Sequence, residues 1–276
     1  SREQLIWALG NAGTQAAGLW EFLADGSMSK HLHPGKAAQN GVLAALLARE
    51  GFTGAATIIE GERGFCRATA STYELDKIIK SLGSSPYKVE ENCYKIHASC
   101  RHTHPAVDLV LELAAKHSIR ASDVAGLTVR TYSTALNITA NHQPDTVYAA
   151  KFSLPFCVAL ALVKGSCGLK DFTPETLADP EIRHLMSVVS LVQDPGLDAL
   201  HPARWPAEVE IITKSGLSYC GRTDFPRGDP ENPLTAGDLL QKFYDLATGP
   251  WGEHRAGVLG EAVLGLEHVE NLAALF

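Results

Sequence analysis

From residue 4 to residue 23 the chain carries Leu5, Ile6, Ala8, Leu9, Ala12, Ala16, Ala17, Leu19, Trp20, Phe22 and Leu23, which fall on more than one face of any helix drawn through them. A surface helix keeps one apolar stripe, whereas a helix apolar most of the way round needs neighbours on several sides. The segment therefore predicts an interior helix stopped at Asp25-Gly26, and with it a helical region large enough to enclose it. Further helices are predicted at 36–50 with Gly51 as C-terminal cap, at 53–60 ended by Gly61, and at 71–82. Residues 1–84 read as all-helical.

The texture changes at Gly83-Ser84-Ser85-Pro86, which is turn chemistry and a candidate boundary. Beyond it the pattern predicts a strand at 88–97, a helix at 104–117, a strand at 126–132 with Leu127, Val129 and Thr131 alternating, and a helix at 147–163. Strands follow at 188–192, 207–214 and 218–223, the last two joined as a hairpin through Lys214-Ser215-Gly216. Helical periodicity returns over 238–276, broken at Gly249-Pro250. The fold class is mainly α with an α+β insertion: a helical domain entered at 1–84 and rejoined at 229–276, carrying an α+β domain at 85–228.

With 276 residues and 45% hydrophobic content the chain can bury real cores, and its net charge of -7 argues against nucleic acid or an acidic membrane as partner. Any anion site must be local. Cys66, Cys93, Cys100, Cys157, Cys167 and Cys220 show neither a CxxC pair nor a disulfide framework, so they read as free thiols without a structural zinc or iron–sulfur cluster. Residues 1–25 include Arg2, Glu3, Glu21 and Asp25, which does not suit a signal peptide, and no apolar run reaches the ~20 residues a membrane span needs. The expected location is the cytoplasm or an organelle matrix, the mitochondrial matrix in a eukaryote.

Two stretches concentrate cations and imidazoles. In the first, Lys30, His31, His33 and Lys36 surround a Pro34-Gly35 turn where a helix begins. A helix N-terminus offers unpaired N–H groups and about half a positive charge, so a carboxylate or phosphate suits it; an ordinary solvated loop is the competing reading. In the second, Lys95, His97, Arg101, His102 and His104 lie where a strand gives way to a helix, with Pro105 in its first turn and Thr103 or His104 at its cap. Such a set can clamp two carboxylates and leave an imidazole to move protons near neutral pH. Metal binding by His102 and His104, or a merely solvated turn, are the alternatives. A third feature, Gly61-Glu62-Arg63-Gly64-Phe65, lacks any nucleotide-binding pattern; its glycines either admit a ligand to the backbone or end a helix. No nucleophile elbow is present, and Cys66 has no base beside it.

The stretches MSKHLHPGKAAQNGVLAALLAREGFTGA (28–55), IIEGERGF (58–65), YKIHASCRHTHPAVD (94–108) and AAKFSLPFCVALAL (149–162) make the chain resemble the MmgE/PrpD family of 2-methylcitrate dehydratase, cis-aconitate decarboxylase and iminodisuccinate epimerase. The resemblance implies a large helical domain with an inserted α+β lid, an active site in the cleft between them, a dimer, and chemistry on small di- and tricarboxylates without metal or nucleotide cofactor. It implies pocket roles for Lys30, Lys95 and the His104 position, with Cys100 near them, and for His102 in some members. Gly64 and Phe65 belong to the matching loop. Phe156 stands where some members have a tyrosine whose hydroxyl can enter the chemistry. The chain lacks the acidic, histidine-bearing HxxDxDD motif that lines the family's site ahead of residue 28, so association with a chain supplying those helices is expected alongside homodimerisation.

The resemblance points first to a metal-independent hydro-lyase on a 2-methylcitrate-like polycarboxylate. Lys30, Lys95 and Arg101 would bind carboxylate and absorb charge, and His104, with His102 or His33, would transfer protons. An epimerase or a decarboxylase on iminodisuccinate or cis-aconitate is the alternative within the same site. The alternative from another class is a non-catalytic half that binds carboxylates or a partner chain.

Overall fold

The computed structural model describes residues 1–275 and divides into two compact units, Ser1–Glu90 and the chain from Glu91 on. About half of it is helical, with one small mixed sheet. No described helix is long and apolar enough to cross a membrane.

The first unit is built on helices α1 (Arg2–Gly13) and α2 (Leu32–Arg49), which pack on each other. Ser1 caps α1 through a reciprocal capping box with Gln4, which satisfies two of the N-terminal donors a helix leaves open. The C-terminus of α2 closes as the sequence predicts: Gly51 has φ 87°, and the Gly51 and Phe52 N–H groups donate back to Ala48 and Leu47.

The predicted interior helix over 4–23 is a correction. α1 stops at Gly13, residues 14–21 are irregular, and Leu5 (62% exposed), Leu9 and Trp20 face outward. The reason is the seam. The buried positions of α1 are Gly10 and Asn11, and a Cβ at Gly10 would meet the Ala55 backbone nitrogen at 2.5 Å, so close backbone approach, not large side chains, fixes this helix. Asn11 donates to the Phe52 carbonyl and Asn40 to that of Gln15, tying both helices to irregular chain.

Two other predicted helices contract. Residues 53–60 are not helical and turn only over 56–60, because the β-branched run Thr57-Ile58-Ile59 suits a helix poorly and the Ile58 and Ile59 carbonyls accept from Phe65 and Cys66 across a loop. A short helix follows at Phe65–Thr69 instead. Of 71–82, only Asp76–Ile79 is helical.

The second unit is α+β. Helix α3 (His104–His117) leads into β1 (Val124–Thr131); helix α4 (Leu154–Lys164) precedes β2 (Val189–Gln193), β3 (Ala207–Thr213) and β4 (Ser218–Thr223). The strand order is β2-β1-β3-β4, with β1 parallel to β2 and antiparallel to β3, and β3–β4 the predicted hairpin. Leu127 pairs with Ile211, Val129 with Val209 and Thr131 with Ala207, so one face of the sheet is apolar. It contributes to a core with Leu109, Val110 and Leu113 of α3 and the side chains of α4. α4 is buried nearly all round, as an interior helix should be.

The predicted helix at 147–163 is split, because the Ser153 hydroxyl accepts from Phe156 and starts a new helix. Conversely, helix α5 (Ala236–Trp251) runs through Gly249-Pro250 and breaks at Gly252 before α6 (Glu253–Leu264). The predicted strand at 88–97 is absent: this backbone is held by single hydrogen bonds to separate segments and has no ladder.

Candidate active site

The basic stretch of the first unit is organised by one aromatic ring. Phe22 is buried; the Lys30 ammonium lies 5.5 Å above its centroid and the His33 ring meets it edge-on at 5.8 Å. A 3₁₀ turn, Met28–His31, delivers Lys30, and the first turn of α2 delivers His33. His31 is exposed, and Lys36 points away to Gln39 at 3.1 Å. The glycine-spaced loop closes on itself: a Cβ at Gly64 would meet the Ile58 carbonyl at 2.7 Å, and Gly64 N–H donates to Gly61. Those glycines serve the loop's own packing, while Phe65 is left half-exposed.

The basic stretch of the second unit is pinned at every other turn. Tyr94 N–H donates to the Gly228 carbonyl (2.8 Å), Ala98 to Cys167 (2.9 Å) and Cys100 to Lys151 (2.8 Å), and the Lys242 ammonium donates to the Lys95 carbonyl. The Lys95 side chain is exposed. The Thr103 hydroxyl donates to the Cys100 carbonyl (2.8 Å) and accepts from the Ser99 hydroxyl (2.7 Å), closing the turn that feeds α3.

Within this stretch three residues have distinct surroundings. Arg101 pairs through Nη2 with Asp229, whose side chain is 8% exposed, and its guanidinium lies 5.5 Å over the Trp205 ring. His102 is half-buried; its Nδ1 lies 2.6 Å from the Tyr132 hydroxyl and its ring stacks on Trp205 at 4.5 Å and 10°. His104 is fully buried, its ring edge-on to His97 at 4.9 Å, and no well-formed hydrogen bond closes on either ring nitrogen among the described residues. Burial first, then the charges of His97 and Lys95, hold the His104 imidazole well below its ordinary range, against a smaller pull from the Ser99 backbone. Burial thus favours the neutral form of this imidazole.

Five partners in this region escape the sequence reading. Asp108 accepts from the His97 Nε2–H at 2.8 Å and, on its other oxygen, from Arg227 N–H at 2.8 Å. A cavity of about 390 Å³ opens beside His97, walled in part by Cys167, Lys170 and Lys242. Tyr132 follows the last residue of β1 and is fully buried; His201 stacks on it at 4.2 Å, and Trp205 lies in the same loop as His201. Burial, with Cys100 adding to it and Arg101 opposing, pushes the Tyr132 phenol far above its usual range. The signal for Asp229 was its place in the Gly228-Asp229-Pro230 turn; nothing in the sequence tied His201 or Trp205 to residue 102.

Phe156 is enclosed in the core beside Phe172, 5.9 Å between ring centroids. Cys100 is half-buried, and Cys66, Cys93, Cys100, Cys157, Cys167 and Cys220 are all free thiols. The stretch thus sets a partly exposed imidazole at His102 beside the largely buried Arg101–Asp229 ion pair, with the Lys95 side chain exposed.

The sequence matches the MmgE/PrpD C-terminal domain over residues 97–268 and the MmgE/PrpD N-terminal domain over residues 1–77. The chain belongs to the MmgE/PrpD family. Among curated relatives, the cis-aconitate decarboxylase of Aspergillus terreus is 26% identical over 97% of this chain and 58% of its own length. Those of Homo sapiens and Mus musculus are 25% and 26% identical over 99% of this chain and 56% of theirs. The chain thus spans rather more than half the length of the relatives it matches.

Proposed function

We propose that this chain acts as a lyase that releases carbon dioxide from cis-aconitate or a close tricarboxylate. The observation that carries the proposal is the shared activity of the relatives reported above, each aligned along almost the whole chain. The cations and imidazoles of residues 95–104 support it. When the bond to a carboxylate breaks, its electron pair stays on carbon until a proton arrives, and nearby donors and cations stabilise that charge. Lys95 and Arg101 would hold carboxylates, with Cys100 beside them. His104, neutral and enclosed, would act through its neighbours more than by direct contact.

This reading displaces dehydration of a 2-methylcitrate-like substrate as the first choice, because the three relatives are named for decarboxylation. The exposed Leu5, Leu9 and Trp20 of the first unit favour association, with a second copy or with a chain carrying further helices. The compartment proposed is the cytoplasm or a mitochondrial matrix.

The test is a panel in which the purified chain is given cis-aconitate, 2-methylcitrate, citrate and iminodisuccinate. Carbon dioxide release from cis-aconitate, faster than any change in the other three, is the expected result. Turnover of 2-methylcitrate alone would restore the dehydratase reading, and turnover of none by a folded chain would favour a non-catalytic subunit.

A further inference from the structure

We propose that the cavity beside His97 binds a small hydroxy acid, whose hydroxyl donates to His97 Nδ1 and whose single carboxylate is held by Lys170. The cavity measures about 390 Å³, the size of a small-molecule pocket, and every residue of its wall belongs to the second unit. His97 is 6% exposed and borders it. Its Nε2 lies 2.8 Å from Asp108, a carboxylate whose other oxygen already accepts from Arg227 N–H. A carboxylate only accepts, so Nε2 carries the hydrogen and, in the neutral ring, Nδ1 is left as an acceptor. That nitrogen has no partner among the described residues, yet it is not sealed off as the His104 nitrogens are, and the cavity is the open space that His97 borders.

Charge and wall set the ligand's class. Asp238 is engaged by Thr235 and Arg227, Asp245 by Gln241, and the Lys242 ammonium by the Lys95 carbonyl. Lys170, also on the wall, is exposed and has no partner among the described residues. One unengaged ammonium matches one carboxylate, while Asp238 and Asp245 repel a second or a third. Ile96, Leu111 and Leu246 give the remaining wall an apolar surface, which suits a short aliphatic body.

The hydroxyl is the group that discriminates. A ligand without it covers Nδ1 and offers no donor, and a covered acceptor without a partner costs binding. Lys170 contributes a point charge on a flexible stem, so it adds affinity more than orientation. Asp108 is a positioning residue: it holds the imidazole through Nε2 and leaves Nδ1 for the ligand. Binding of this kind requires no reaction, so it stands apart from carbon dioxide release.

Titration calorimetry of the full chain at pH 7.5, with 2-hydroxyisovalerate and with isovalerate, tests the proposal. The hydroxy acid should bind saturably and about tenfold more tightly than isovalerate. Lys170→Ala should weaken its binding about fivefold while melting with the parent. Lys164→Ala, which removes an ammonium that lies off the wall and pairs with Asp179, should bind as the parent does. In ¹⁵N-histidine spectra of the parent, one bare Nδ1 resonance should move with the hydroxy acid and stay in place with isovalerate. Absence of saturable binding, equal affinity for the two acids, unchanged affinity in Lys170→Ala, or histidine resonances that do not move each overturn the proposal.

Discussion

The two basic stretches look alike in sequence and differ in what holds them. Lys30 and His33 gather around the single ring of Phe22, in a unit whose buried apolar side chains are Phe22, Ala44, Ala48 and Cys66. Residues 94–104 are tied by backbone hydrogen bonds to Gly228, Lys151 and Cys167, beside a core of α3, α4 and the sheet. Placement by several independent constraints is what a catalytic group requires, since small misplacements are expensive in rate. The difference teaches that charge composition finds both stretches, but attachment separates the rigid one from the adaptable one.

The comparison can be broken first by packing. Phe156→Ala should lower unfolding stability by about 3–5 kcal/mol, because it removes an enclosed aromatic ring. Leu9→Ala, on the outer side of α1, should lower it by less than about 1 kcal/mol. Equal losses in urea unfolding would mean that the first unit has a core of comparable density.

Next comes charge. Asp229→Ala leaves Arg101 without its partner and should destabilise by about 3 kcal/mol. Glu50→Ala, which breaks the exposed contact with Arg49, should leave the denaturation midpoint where it was. An unchanged midpoint for Asp229→Ala would show that the pair is solvated.

A smaller effect sharpens the account through pH. His104 titrates near 6.5 when unfolded and well below that when folded, so the unfolded chain takes up the proton first. The stability it contributes is whole above about pH 6.5 and drains as pH falls, by up to about 1.4 kcal/mol per unit until the folded value is reached. Urea midpoints at pH 7.5 and 5.5 should differ accordingly, and His104→Phe should flatten that slope. A slope unaltered by the substitution would place the buried proton elsewhere.

Much of the second unit was legible in the sequence because its signals are local. Leu127, Val129 and Thr131 alternate on a strand, and Pro105 opens a helix, each as the structure has it. The first unit was misread where tertiary contact overrides periodicity: Gly10 and Asn11, not Leu5 and Leu9, face the neighbouring chain. The 88–97 segment has a strand's composition, but a strand needs a ladder partner and this one meets only single carbonyls. At the site, Lys95, Arg101 and His102 were visible as a cluster. Tyr132, His201 and Trp205 were not, because long-range stacking leaves no mark on the sequence near residue 102.

The most direct measurement of the central claim is carbon dioxide release from cis-aconitate by the parent chain and by Lys95→Ala, with both melting curves recorded. The account predicts release by the parent, a loss of at least about 10²-fold in Lys95→Ala, and coincident melting curves, since Lys95 is exposed. Release by Lys95→Ala at the parent rate would contradict it.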